Sequence, residues 1–284
     1  MKKSTEIQQK TPYIRPFLKW AGSKHRLLSR IYPHLPQQGV RLVEPFVGSG
    51  AVFLNSSFKN ALIAELNPDV INLYKAIKSK NQSFIETCRG HFTPETNQKD
   101  YFYIMRERFN ASSCVYERAH LFLYLNRHGY NGLCRYNKSG GYNVPFGRYK
   151  KPYFPEAEIQ HFLSRAKQVK IVCQDFEKTM SQATLGDVVY CDPPYAPINN
   201  TSDFTQYQKT GFTLAQQECL AINARELSKK GIPVIISNHD TVLTRELYEG
   251  ATIESFDVPR FISQDIDNRK PARELLAVYT ADNS

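Results

Sequence analysis

Asp192-Pro193-Pro194-Tyr195 directly follows the apolar run Val188-Val189-Tyr190-Cys191. A short β-rich run ending in this tetrapeptide reads as a buried strand that stops at a rigid, exposed loop. The two prolines fix the backbone and remove two N–H donors, so nearby carbonyls point at something other than a neighbouring strand. Asp192 supplies an anionic acceptor and Tyr195 a flat aromatic face. Together they suit a planar amine, stacked on one face and held by acceptors at its N–H groups, and adenine presents such an amine at N6. An Asx-Pro turn after a strand would account for the tetrapeptide alone, so this reading depends on a second motif.

That motif is Glu44-Pro45-Phe46-Val47-Gly48-Ser49-Gly50, between the strand-like Arg41-Leu42-Val43 and the helix-like Ala51-Val52-Phe53-Leu54. Strand, glycine loop and helix form the entry of a nucleotide-type α/β site, where glycines let a ligand approach the backbone. A second strand, Ala61 to Ala64, ends at Glu65, and an acid there is placed to bind ribose hydroxyls. Gly48 and Gly50 are present, but Phe53 stands where a dinucleotide fingerprint has its third glycine. This argues against a nicotinamide oxidoreductase and fits a nucleoside cofactor without a pyrophosphate. Gly-x-Gly alone is weak; its pairing with the downstream Asp-Pro-Pro-Tyr makes it strong.

These motifs need a sheet to carry them. Residues from about 17 to 67 alternate helix and strand, with a basic amphipathic helix at Lys24 to Tyr32. From Pro68 to Arg127 the strand signal vanishes, and the periodicity predicts helices at Val70 to Lys78, Phe84 to Cys88, Tyr101 to Phe109 and Val115 to Leu125. This inserted helical part ends in two β-rich flanks around Asn137-Lys138-Ser139-Gly140-Gly141, a predicted hairpin. After Pro152 the alternation resumes. Strands are expected at Val169 to Cys173, Val188 to Cys191, Pro233 to Ile236, Ile253 to Val258 and Leu275 to Tyr279, with a helix at Leu214 to Leu227. The expected division is a discontinuous catalytic domain, 11–67 and 151–284, a target-recognition subdomain at 68–150, and a loose polar tail at 1–10.

The segment 128–153 interleaves Tyr130, Tyr136, Tyr142, Phe146, Tyr149 and Tyr153 with Arg135, Lys138, Arg148, Lys150 and Lys151. Cations hold phosphates, and aromatics can stack on or wedge between bases. A surface hairpin whose tyrosines pack on their own domain has the same composition. The net charge of +10 over 284 residues fits a polyanionic partner. No apolar run is long enough to span a bilayer, and Met1 to Lys10 lacks a signal-peptide core. Six scattered cysteines without a Cys-x-x-Cys pair read as reduced core residues of a cytoplasmic protein, and seven histidines show no ligand spacing, so no metal site is expected. Nothing calls for a membrane or an obligate protein partner.

The chain resembles the α group of amino-methyltransferases that use S-adenosylmethionine, in detail the Dam family of bacterial DNA adenine-N6 methylases, which act at GATC. The resemblance rests on Phe17 to Lys24, Glu44 to Gly50, Leu125-Asn126-Arg127, Gly129 to Tyr136, Asn143 to Pro155, Val189 to Pro197 and Ile236 to Asp240, in the family's order. Ser23 departs from the family's usual glycine and Glu65 from its usual Asp. The resemblance implies a Rossmann-like methyltransferase sheet with an inserted helical target-recognition subdomain bearing a β-hairpin. It also implies methyl transfer to adenine N6 in double-stranded DNA with the base flipped out. Tyr195 would stack on the adenine, and Asp192 and the Pro193 carbonyl would accept the N6 protons, with Pro194 completing the rigid turn. Trp20, Lys24, Phe46, Gly48, Gly50, Glu65, Asp175, Phe176 and Asp192 would surround the cofactor. Lys19 would read the first guanine, Leu133, Arg135 and Pro145 the other half-site, Tyr130 and Asn131 would insert beside the flipped base, and Arg148 and Lys150 would hold phosphates. Cytosine-N4 enzymes favour Ser before Pro-Pro-Tyr, so Asp192 argues against them. An adenine methylase of other site specificity, a restriction–modification partner and a non-catalytic DNA-binding protein stand as alternatives.

Overall fold

The computed structural model describes residues 13–36, 39–196, 212–258 and 272–280. The expected tail at 1–10 lies outside them, as does Pro197. The strands are β1 (Arg41–Glu44), β2 (Asn60–Glu65), β3 (Val169–Cys173), β4 (Asp187–Cys191), β5 (Val234–His239), β6 (Thr252–Val258) and β7 (Ala272–Tyr279). They form a 7-stranded sheet in the order β3-β2-β1-β4-β5-β7-β6. The pairs from β3 to β5 are parallel, and β7 runs antiparallel between β5 and β6. β4 is buried along its whole length, as expected of a parallel strand covered on both faces. The chain winds outward from β1 to β3 and then returns beside β1 as β4, with Val43 opposite Val189. Strand order therefore reverses between β1 and β4, and the carboxyl ends of two such strands diverge into a crevice where ligands bind.

Neighbouring residues of each strand divide between two cores, as a two-residue period requires. Leu42, Ile63, Tyr190 and Ile235 face one; Val43, Leu62, Val189 and Ile236 face the other. The helices are α1 (Leu28–Ile31), α2 (Ala51–Asn55), α3 (Pro68–Arg89), α4 (Lys99–Ala111), α5 (Val115–His128), α6 (Glu156–Arg165), α7 (Phe176–Met180), α8 (Leu214–Lys229) and α9 (Val242–Leu247). Side chains of α3, α4 and α5, among them Leu73, Ile77, Phe102 and Leu121, belong to the first core, and Leu220 and Ala224 of α8 to the second.

Several expectations need correction. Val70–Lys78 and Phe84–Cys88 are parts of one helix, α3, whose intervening polar turn faces solvent at Ser79, Gln82 and Ser83 while Ile77 and Phe84 on either side are buried. Lys24 to Tyr32 is not one α-helix: a 3-10 turn, Lys24–Leu27, precedes the single α-turn α1, and a second 3-10 turn, Tyr32–His34, follows. Ser23 does not cap it, its hydroxyl lying 3.1 Å from that of Ser49 instead. The predicted hairpin forms no extended ladder: two isolated antiparallel bridges, Tyr136 to Tyr142 and Gly129 to Phe146, join its flanks, and Asn137 organises the turn, its Oδ1 accepting from the N–H groups of Ser139 and Gly141. Tyr142 is buried and so is not available to bases, and Tyr136 and Phe146 are partly buried against the same core. All six cysteines are free; Cys88 and Cys191 are buried, but Cys114 and Cys173 are exposed and not core residues. Helices α6, α7 and α9 were not foreseen. Among the described residues no helix is long and apolar enough to cross a membrane.

Candidate active site

The carboxyl ends of β1 and β4 carry Glu44 and Asp192 into a cavity of about 980 Å³, which Glu65 at the end of β2 and Glu274 on β7 also line. Lys24 crosses this acidic interior. Its side chain is 7% exposed, its Nζ lies 2.8 Å from Asp192 Oδ1, and it donates to the Gly22 carbonyl at 2.7 Å. The same ammonium stands 4.6 Å from the centroid of the Tyr195 ring. Burial pushes the Asp192 carboxyl above the ordinary aspartate range, and Lys24 opposes that shift. The Tyr195 hydroxyl donates to Glu274 Oε2 at 2.9 Å, and His239 meets the ring edge-on at 4.8 Å. Glu44 is almost fully buried, and its Oε1 has no hydrogen-bond partner among the described residues. Burial holds its carboxyl well above the usual range; a backbone hydrogen bond at Phe53 opposes this and the charge of Asp192 adds to it.

The glycine loop forms the opposite wall. Gly48 has φ +46°, and a Cβ there would stand 2.7 Å from Trp20 Nε1, so the indole packs directly on glycine backbone. Tyr74 donates to the Gly48 carbonyl at 2.6 Å, and the Gly48 N–H reaches Glu65 Oε2 at 3.3 Å. Glu65 Oε1 accepts from the N–H groups of Leu66 and Asn67, which oppose the upward shift that burial gives this carboxyl. Phe46 and Phe176 stack at 5.5 Å, with Phe212 edge-on to both, and all three rings line the cavity. Two expected cofactor residues stand elsewhere. Asp175 caps α7, accepting from the Lys178 N–H at 2.7 Å, and is not in the lining. Gly50 opens α2 behind the wall. Phe53, in place of the third glycine, is buried against Phe162.

The Asp192–Tyr195 loop is fastened from beneath. Gln217 donates to the Pro194 carbonyl at 2.9 Å, and Asn238 Oδ1 accepts from the Ala196 N–H at 3.0 Å. Both side chains are fully buried and joined to each other and to the Tyr248 hydroxyl. Glu44, Glu274, Phe212, His239, Gln217 and Asn238 all escaped assignment from sequence. Buried polar residues at strand ends were the available signal for Glu44 and Asn238; Phe212, Gln217 and Glu274 reach the site only through tertiary packing.

The mouth of the cavity meets the inserted part. Asn131, with φ +53°, and Leu133 line it, and Tyr130 beside them is 44% exposed. Arg135, Pro145, Arg148 and Lys150 are exposed on the same loop system, and Asn143 holds the Arg135 guanidinium through Nε at 2.8 Å. Lys19 does not line the cavity; its Nζ donates to the Arg127 carbonyl at 3.3 Å and lies 3.9 Å from the Tyr149 ring centroid. Burial, with Arg127 adding to it, brings the Lys19 ammonium down to about 8.

Comparison with known proteins places this geometry in context. The chain is 52% identical to a DNA adenine methylase of Escherichia coli strain K12 over 265 residues, 93% of this chain and 95% of that protein. It is 50% identical to the DNA adenine methylase of Serratia marcescens over 266 residues, 93% and 98% of the two chains. It is 48% identical to that of Vibrio cholerae strain O395 over 267 residues, 94% and 96%. The solved structure of a precorrin 8w decarboxylase from Methanobacterium thermoautotrophicum gives a TM-score of 0.39 at 12% identity, too slight to carry an argument. Residues 20–260 match the model of one family, which spans both strand-end motifs and the helices between them. The chain thus belongs to the D12 class N6 adenine-specific DNA methyltransferases.

Proposed function

We propose that this enzyme transfers the methyl group of S-adenosylmethionine to N6 of an adenine flipped out of duplex DNA, within GATC, in the bacterial cytoplasm. The observation that carries the reading is the Lys24–Asp192 ion pair against the Tyr195 ring at the point where strand order reverses. The cavity around it suits the cofactor. Glu44, Glu65, Asp192 and Glu274 line the interior of a protein of charge +10, and a cationic sulfonium or ammonium entering beside them favours the ionised carboxylates that burial disfavours, which a phosphate would not. Glu44 Oε1, without a hydrogen-bond partner among the described residues, is available to such a ligand. Trp20, Phe46, Gly48, Glu65 and Phe176 would hold the cofactor, which when bound supplies an electrophilic methyl group.

The chain's own residues align the amine. Tyr195 stacks on the flipped adenine, its ring fixed by Glu274 and His239. Asp192 and the Pro193 carbonyl accept the N6 protons, which turns the nitrogen lone pair toward the methyl group and stabilises charge developing on N6. Lys24 favours the ionised form of Asp192 against its burial. The methylated ammonium is acidic and sheds its proton without a strong base, so catalysis is largely positioning and electrostatics. The target amine lies inside the base stack, so the nucleotide must leave the helix. Residues 68–150 serve as the target-recognition part. Tyr130 and Asn131 at the cavity mouth fill the space it vacates, and Lys19 and Arg135 read guanines in the two half-sites.

Asp192→Ala should abolish methyl transfer while DNA affinity stays within a few fold, because phosphate contacts supply most of the binding. Equal loss of binding and turnover in a folded variant would remove Asp192 from its assigned role.

A further inference from the structure

Lys19 and the recognition loop come from distant parts of the chain, and a single buried side chain joins them. Asn126, in the last turn of α5, is 0% exposed. Its Oδ1 accepts from the Lys19 N–H at 2.9 Å, and its Nδ2 donates to the Lys19 carbonyl at 2.8 Å. The same Nδ2 donates to the Gly132 carbonyl at 3.2 Å. One amide therefore clasps the Lys19 backbone on both sides and ties it to the loop between Asn131 and Leu133. Contact at the junction is close. Gly132 has φ +62°, and a Cβ there would lie 2.2 Å from Lys19 Cβ, so the lysine stem rests on bare backbone. The tie continues across the loop. The Tyr130 N–H donates to the Pro145 carbonyl at 2.8 Å, the Asn143 N–H to the Arg135 carbonyl at 3.1 Å, and Arg135 Nε to Asn143 Oδ1 at 2.8 Å.

We propose that Asn126 is a positioning residue for sequence readout. It sets the register between Lys19 and the loop 129–135, so that the first-guanine contact, the inserted Tyr130–Asn131 pair and the distal Arg135 contact act as one rigid ruler. A buried amide with all its N–H groups engaged is costly to leave half-satisfied, which keeps the junction in one arrangement. The inference rests on the reading in which Lys19 contacts the first guanine. A displacement of Lys19 by even about 1 Å is enough to lose a bidentate or directed base contact while leaving phosphate contacts in place.

The test measures kcat and KM on GATC duplexes and on duplexes substituted at the first guanine, for Asn126→Ala, Lys19→Ala, the double variant and Gly132→Ala. Asn126→Ala is expected to lower kcat/KM on GATC by roughly tenfold or more and on the substituted duplexes by no more than about threefold, so that discrimination collapses. In the Lys19→Ala background the same substitution should add no more than about twofold, because both act on one contact. Gly132→Ala disturbs the junction from the loop side and should give the same collapse; it decides the matter if Asn126→Ala melts. A uniform loss on all duplexes, or multiplicative effects in the double variant, would overturn the proposal and leave Asn126 a packing residue. Undiminished discrimination by Lys19→Ala itself would instead overturn the underlying guanine contact.

Discussion

Lys24 illustrates how one residue ties several groups together. Its ammonium neutralises Asp192, anchors on Gly22 and lies near the Tyr195 face. Burial raises the pKa of Asp192 and Lys24 lowers it. In the proposed mechanism Asp192 acts as a carboxylate, so activity is expected above its pKa and should be lost as pH falls through it. Removing the cation raises that pKa further. Lys24→Met should therefore move the acid limb of the single-turnover pH–rate profile to higher pH. An acid limb at the wild-type position would show that Lys24 does not hold the charge of Asp192. Asp192 and Tyr195 could be read from sequence because proline rigidity, charge and aromaticity sit together in four consecutive positions. Glu274 could not, since only the antiparallel pairing of β7 with β5 sets it opposite His239 and beneath Tyr195.

Among the elements, α3 connects the two halves of the site. It begins just after Glu65, capped by Asn67, whose Oδ1 accepts from the Asp69 N–H. Asp69 in turn receives Arg118 Nε at 2.9 Å, Arg118 Nη2 at 3.0 Å and the Tyr136 hydroxyl at 2.7 Å. The start of α3 is thereby fastened to α5 and to the loop that carries Tyr136. Asp69→Ala should cost about 2–3 kcal/mol, the value for breaking a buried ion pair discounted for the partial exposure of Arg118. Glu156→Ala, which removes the exposed pair with Arg89, should cost less than about 1 kcal/mol. Denaturant unfolding of both variants distinguishes these; similar losses would contradict the role given to Asp69. The sheet was legible because strands buried on both faces appear as short apolar runs bounded by turn residues. The continuity of α3 was not, since its polar turn hides the period that the flanking turns keep. Nor were the inward tyrosines Tyr136 and Tyr142, which share their composition with rings that face a base.

At the scale of the whole molecule, a chain of net charge +10 holds a cavity lined by Glu44, Glu65, Asp192 and Glu274. Sequence alone gave the surplus; the acidic lining appears only when β1, β2, β4 and β7 bring their ends together. A net positive charge suits the DNA backbone and the carboxyl-lined cavity suits the proposed cationic cofactor. Exposed cations and base-reading residues should then fail differently. Lys150→Ala should weaken all duplexes alike and lower the slope of log affinity against log salt by about one. Arg135→Ala should cost roughly 1–3 kcal/mol on GATC and much less where its guanine is already replaced. Equal losses on cognate and altered duplexes would make Arg135 a phosphate contact. The most direct measurement of the central claim is methylation of a mixed-sequence duplex with S-adenosylmethionine labelled on its methyl group, followed by mapping of each labelled base and its neighbours. The label should reside in N6-methyladenine at GATC. Label in cytosine, or in adenines irrespective of their neighbours, would contradict the account.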